Sequence, residues 1–296
     1  MNDSTKPRPP RAFPLSLERL APAAQRAPVP SRQEPAGGRA TPVAAAARSV
    51  VAKAPAGVLL RPQRPLHEAA QDRARHATPA GIGLDSELVR QRMVQKLRAL
   101  GVRDEQVLSA MQRVPRHLFV DTALANQAYE DTSLPIGLQQ TISKPSVVAR
   151  MLELMLGGRG PQPLPRILEI GTGCGYQAAV LALLGRQVIS VERLKPLHDK
   201  SRELLRSMRI DNLRLVWGDG MLGHGPNAPY DGIVSAAGGE ALPPAWLEQL
   251  AVGGRLVAPV VRGGGQVIVL VQRTETGFVR SEHEAVHFVP LKSGTT

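Results

Sequence analysis

The stretch Arg166-Ile-Leu-Glu-Ile170, followed by Gly171-Thr-Gly-Cys-Gly175 and Tyr176-Gln-Ala-Ala-Val-Leu-Ala-Leu-Leu184, decides the fold of this chain. A short apolar run of strand length meets three glycines at alternate positions, and an apolar run of helical length leaves them. Glycines at such a strand-to-helix turn let a ligand approach the backbone, and the first helical amides attract negative charge. A glycine turn with no ligand reads the same way, so the neighbouring strands matter. Glu192 ends the next apolar run, 21 residues after Gly171, where a carboxylate can accept hydrogen bonds from a ribose diol. Gly218-Asp219-Gly220 follows the third run and can set a carboxylate beside an adenine amino group. All three lie at strand C-terminal ends, where open α/β sheets bind ligands. The ligand they describe is a nucleoside.

Dinucleotide enzymes share this layout. Their pattern wants Gly or Ala where this chain has Tyr176, because the helix packs on the strand there. The loop contains no Lys-Ser or Lys-Thr pair, which excludes a P-loop.

Outward from the loop, strand-like runs at 166–170, 187–191, 213–217 and 232–235 alternate with helix-like runs at 176–184, 195–208 and 244–250. The alternation predicts an α/β fold with a doubly wound, mostly parallel twisted sheet covered on both faces. Runs at 255–261, 266–272 and 278–288 are joined by glycine-rich turns and predict antiparallel strands at the C-terminal end. Upstream, Val89, Met93, Leu97 and Leu100 predict an amphipathic helix that starts near Asp85 and stops at Gly101. A shorter helix runs from Asp104 until Pro115 ends it. A polar loop is expected at 129–140, then a third helix with Ser143 as its N-cap.

The 296 residues divide unevenly. Residues 1–84 hold 13 Lys or Arg against 5 Asp or Glu and 13 of the 26 prolines, with Phe13 their only aromatic, so most of the net charge of +12 lies there. Such a segment buries little apolar surface. The expected organisation is a disordered basic Pro/Ala/Arg-rich arm over 1–83 and one folded domain over 84–296. The arm's charge reads as a solvated linker or as weak attraction to nucleic acid or an acidic partner, and it lacks interleaved aromatics for stacking bases. No run of 18 apolar residues occurs, no secretory signal pattern is visible, and the Arg-rich, acid-poor start only faintly resembles a transit peptide. Cys174 is the only cysteine, so neither an intrachain disulfide nor a Cys-based zinc site can form. A cytoplasmic location is expected.

The string from Glu169 to Tyr176, Val191-Glu192-Arg193 and Gly218-Asp219-Gly220 are similar to the S-adenosylmethionine site of class I methyltransferases. Val114-Pro115-Arg116, Phe119-Val120-Asp121, Leu134-Pro135-Ile136-Gly137, Gln140-Thr141-Ile142-Ser143, Pro229-Tyr230-Asp231 and Phe288-Val289-Pro290-Leu291 extend the match. Together they resemble the protein-L-isoaspartate O-methyltransferase family from about residue 86 to 292. The resemblance implies a Rossmann-like fold and methyl transfer from S-adenosylmethionine to the free carboxylate of L-isoaspartyl residues in damaged proteins, initiating repair through a succinimide. It implies cofactor contacts at Glu169, Gly171, Thr172, Gly173, Gly175, Glu192, Asp219 and Gly220. It implies substrate contacts at Thr141, Ile142 and Ser143, with Ser143 the active-site serine; no metal cluster is visible among the residues, and no membrane or specific nucleic-acid partner is expected. One departure is Gly137-Leu138-Gln139-Gln140, where the family usually reads Gly-Gln-Gly-Gln.

A carboxylate with a pKa of about 4 is ionised at neutral pH and needs no general base. It needs alignment in a dry site, because charge is lost as it attacks a sulfonium methyl. A strong cation beside the acceptor would hold that charge back. Ser143 suits the demand, although a serine there also reads as only a helix cap. A nucleic-acid methyltransferase needs stacking aromatics or an Asn/Asp-Pro-Pro-Tyr-type motif for a flipped base, where this chain has Ser235-Ala236-Ala237-Gly238. A non-catalytic binding protein predicts cofactor binding without turnover. His198, His283 and His287 read as surface residues, Trp217 and Trp246 as packing residues, and Cys174 as a small loop residue.

Overall fold

Two helices precede the sheet. In the computed structural model, which describes residues 87–296, these are α1 (Glu87–Ala99) and α2 (Glu105–Arg113); the expected arm and its boundary lie outside the described residues. Met93 and Leu97 are buried as their spacing predicts. Leu100 is exposed, because Gly101 turns the chain at φ +102° and Val102 takes the buried place. The Asp104 carboxylate caps α2, accepting from the amides of Gln106 and Val107 at 2.9 and 3.1 Å.

The expected polar loop at 129–140 is, in its second half, a hairpin. β1 (Leu134–Gly137) pairs antiparallel with β2 (Gln140–Ile142). Leu138 and Gln139 make the turn at φ +51° and +59°, conformations that glycine and asparagine usually supply, so no turn signal marked the hairpin in the sequence. α3 (Pro145–Leu156) starts one residue later than a Ser143 cap requires. Lys144 holds the cap position without a side-chain bond, which corrects the expected role of Ser143. Asp131 supplies the missing acceptor from across the chain, taking the Ser146 amide at 2.8 Å and its hydroxyl at 2.7 Å. The buried face of α3, with Val148, Met151, Leu152 and Met155, packs against the sheet.

β3 (Leu164–Ile170), α4 (Tyr176–Leu184), β4 (Gly185–Glu192), α5 (Lys195–Ser207), β5 (Leu213–Trp217), β6 (Tyr230–Ser235), α6 (Pro244–Glu248) and β7 (Leu250–Arg262) form the wound part. β8 (Gly265–Thr274) and β9 (Gly277–Val286) follow. The sheet order is β5-β4-β3-β6-β7-β8-β9, parallel from β5 to β7 and antiparallel at β7-β8 and β8-β9. This is the doubly wound sheet with antiparallel closure that the sequence predicted. Ile167, Val188 and Val234 join the apolar layer beneath the helices α1 to α4, while Leu168, Ile189 and Ile233 join the opposite layer with Tyr230 and Trp246. Adjacent strand residues thus serve opposite faces, which is why the strands read as unbroken apolar runs.

Two readings of single residues are corrected. His198 is buried, because it shares with Ser201 and Leu205 the inward stripe of a helix whose charged residues hide that periodicity. Trp217, at the end of edge strand β5, is exposed, and its indole donates to the Arg193 carbonyl at 3.2 Å. The strand order reverses at β3, which opens a crevice at the C-terminal ends of β3, β4 and β6.

Candidate active site

The crevice holds a cavity of about 610 Å³, of the size that takes a small-molecule ligand. One wall is Gly171 to Cys174, Val191 to Leu194, Gly220 and Ala236-Ala237; the other is the β1-β2 hairpin through Ser143, with Val289, Pro290 and Leu291 at one side.

The glycine wall is held by hydrogen bonds. Glu192, buried at the end of β4, accepts from the Gly173 amide at 2.8 Å and the Leu194 amide at 2.9 Å. Each carboxylate oxygen keeps a second lone pair for a ligand. Gly171 and Gly173 have φ of +89° and +55°, and a Cβ on Gly173 would sit 3.2 Å from Ile136 of the hairpin. Gly175 lies outside the cavity wall; a Cβ there would come 2.8 Å from Leu205, so this glycine lets α4 start close against α5.

Behind the loop, Thr172 Oγ1 and Ser190 Oγ lie 2.6 Å apart, and the Ser190 hydroxyl donates to Glu169 Oε2 at 2.5 Å. Glu169 is fully buried and does not reach the cavity wall. Burial pushes its carboxyl up to about 8, against the opposing pull of Ser190 and Gln177, so it is protonated at neutral pH. The Gln177 side chain lies against the Glu169 carboxyl and also lines the cavity.

Asp219 stands off the wall. One oxygen accepts from the Met221 amide and the other from the Gly294 amide, at 2.8 and 2.7 Å, so it braces the turn that presents Gly220. Residues near 294–296 are tied to the same rim, with the Lys195 amide donating to the Thr296 carbonyl at 2.7 Å.

On the hairpin side, Thr141, Ile142 and Ser143 all line the cavity. The Ser143 carbonyl accepts from Arg116 Nη2 at 2.7 Å, and Arg116 Nε donates to the Ala128 carbonyl at 2.7 Å. Cys174 lines the wall, and burial pushes its thiol up to about 11, which leaves it an unreactive thiol at neutral pH. Reasoning from sequence missed Ser190, Gln177 and Arg116 as parts of the site. Their signal was a polar side chain inside an apolar run, which a buried strand or helix accepts only with a partner.

Comparison with known proteins identifies the constellation. The model of the family described as protein-L-isoaspartate(D-aspartate) O-methyltransferase matches residues 88–296. The chain belongs to that family. It is 68% identical over 243 residues to the protein-L-isoaspartate O-methyltransferase of Methylibium petroleiphilum, covering 81% of this chain and 90% of that one. It is 51% identical over 283 residues to the enzyme of Burkholderia pseudomallei, covering 95% of this chain and 87% of that one, a match that runs into the residues before Glu87. A solved protein-L-isoaspartate O-methyltransferase structure has a TM-score of 0.62 at 28% identity, over 69% of this chain and 66% of that chain. A Plasmodium falciparum structure in complex with S-adenosyl-L-homocysteine shares the fold, with a TM-score of 0.59 at 24% identity over 69% of this chain and 98% of that chain.

As a member of the family, the chain is an S-adenosylmethionine-dependent enzyme that methylates the free carboxylate of L-isoaspartyl residues in proteins. The wall fits that cofactor: two left-handed glycines allow close approach, Glu192 has lone pairs to spare, and Gln177 adds a polar side chain to the lining. Among the described residues no group of three His, Cys, Asp or Glu is placed to hold a metal, and no helix is long and apolar enough to cross a membrane.

Proposed function

We propose that the cavity divides the reaction between its walls, and the observation that carries this is that Glu192 and Ser143 line one continuous space. Glu192 holds the ribose diol, with Gly171, Thr172, Gly173 and Gly220 forming the bed of the cofactor. Glu169, Gly175 and Asp219 support that bed from behind. S-adenosylmethionine supplies an activated methyl group on its sulfonium. Thr141, Ile142 and Ser143 align the isoaspartyl carboxylate, and apolar Ile136, Ile142 and Val148 exclude water around it. No residue need move a proton, because the acceptor arrives ionised. The methyl ester then leaves, and the neighbouring backbone amide nitrogen attacks its carbonyl to close a succinimide with loss of methanol. The enzyme works in the cytoplasm, residues 84–296 are the catalytic unit, and the basic residues 1–83 give only salt-sensitive attraction to acidic partners.

The test is methyl-ester formation on paired peptides containing isoaspartate or normal aspartate, by the full chain and by residues 84–296. Transfer to the isoaspartyl peptide alone, at equal rates for both proteins, supports the reading. S-adenosylmethionine binding without ester formation would overturn the catalytic assignment, and a large loss of melting temperature on truncation would overturn the boundary.

A further inference from the structure

Arg116 is the fully buried cation of the hairpin side, at 0% exposure. The turn Arg116–Phe119 follows α2, and the guanidinium lies behind the wall where β2 ends. Its Nε and Nη2 are spent on the carbonyls of Ala128 and Ser143, its Cζ lies 4.7 Å from the centroid of the ring of Tyr176, whose side chain favours the charge, and among the described residues Nη1 has no hydrogen-bond partner of good geometry. Two carbonyl dipoles and an aromatic face hold a cation in place without neutralising it. Among the described residues, Asp131 is the carboxylate within its electrostatic reach, and both Asp131 oxygens are already bonded to Ser146. The carboxyl of Glu169 is protonated at neutral pH and adds no counter-charge. A buried charge left so poorly compensated is costly, and Ser143 and Tyr176, which it touches, both line the cavity.

We infer that Arg116 is a positioning residue that makes the hairpin end of the cavity select an anionic acceptor, acting from behind Ser143 and Tyr176. The inference rests on the reading of that end as the carboxylate site. A cation touching the acceptor oxygen would resist the loss of charge in the transition state. One set back by a side chain favours entry of the anion and changes less as the reaction proceeds. Its signature is therefore in binding: loss of the charge raises the peptide KM and leaves kcat nearly unchanged. It also predicts that a neutral carboxamide of the same shape binds less well.

The experiment measures binding of two peptides, identical except for isoaspartate or isoasparagine, to the full chain saturated with S-adenosylhomocysteine. For the wild-type protein the carboxylate peptide is expected to bind on the order of tenfold tighter or more, since the interaction acts at low effective dielectric. In Arg116→Met the two affinities should converge to within about threefold, and Arg116→Lys should restore most of the preference. A structural role alone would weaken both peptides in proportion and leave the ratio unchanged, which would overturn the proposal. If Arg116→Met does not fold, the wild-type ratio and Arg116→Lys still decide: a wild-type ratio near one, or a Lys variant that folds and binds the carboxamide as well as the carboxylate, overturns it. Wild-type methylation of the isoaspartyl peptide is scored separately, so a failed functional reading shows as no ester rather than as a changed ratio.

Discussion

The glycine loop and the β1-β2 hairpin face each other across one cavity, yet only the first is an extension of the main sheet. The loop hangs between β3 and α4, is clamped by Glu192, and is backed by the chain from Thr172 through Ser190 to Glu169. The hairpin is a separate two-stranded piece, bound back by Arg116 and followed by a helix capped from Asp131. The wall for the constant ligand is thus built from backbone on a rigid sheet. The wall for the variable ligand, a peptide, is built from side chains on a short ribbon that can be altered without disturbing the sheet.

The largest expected effect tests the buried backing of the glycine wall. Glu169 has a carboxyl raised from its ordinary value to about 8 by burial, so the folded protein binds more protons than the unfolded chain between about pH 4.5 and 8. Stability is therefore full below that window and falls as pH rises through it, by up to a few kcal/mol. Thermal unfolding from pH 5 to 9 should show this slope in the wild-type protein and a flatter one in Glu169→Gln. Equal slopes would mean that the loop does not depend on a neutral carboxyl. Next in size, Glu192→Ala removes the acceptor for two backbone amides and, on this account, for the ribose. It should weaken S-adenosylhomocysteine binding by about 1–3 kcal/mol in calorimetry while leaving the peptide KM in place. Unchanged cofactor affinity would move the ribose contact elsewhere.

These two walls were unequally legible in the sequence. Strand-then-glycine spacing and the carboxylate after β4 follow from the local geometry of a parallel sheet, so the loop, Glu192 and the order of elements could be read residue by residue. Glu169, Gly175 and Asp219, which the resemblance gives to the cofactor, do not line the cavity, and spacing along the chain does not say which side of a turn a residue faces. The hairpin was hidden: its turn uses Leu138 and Gln139 in left-handed conformations, and its strands are too short to show alternation. Ser143 reads as a helix cap by residue type, and only the tertiary contact between Asp131 and Ser146 shows that the capping is done from elsewhere.

That correction sharpens the comparison on the hairpin side. Ser143→Ala should reduce kcat by about tenfold and leave the melting temperature nearly unchanged, whereas a helix cap would cost about 1 kcal/mol of stability. Full activity with a lowered melting temperature would reverse the assignment. The smallest effect is expected at the turn. Gln139→Gly relieves a left-handed side chain that costs about 1–2 kcal/mol, and the added freedom of the unfolded chain offsets about 0.5–1 kcal/mol of that gain. A rise of a degree or two in melting temperature, with unchanged cofactor affinity, is the outcome to look for.

The division of one cavity into a cofactor wall and an acceptor wall is tested most directly by hydrogen exchange of the full chain, first with S-adenosylhomocysteine and then with an isoaspartyl peptide added. The account predicts that S-adenosylhomocysteine slows exchange at residues 171–173, 192–194 and 220, and that the peptide adds protection at 138–143 and 289–291. Peptide protection confined to the glycine wall, with the hairpin exchanging as before, would contradict it.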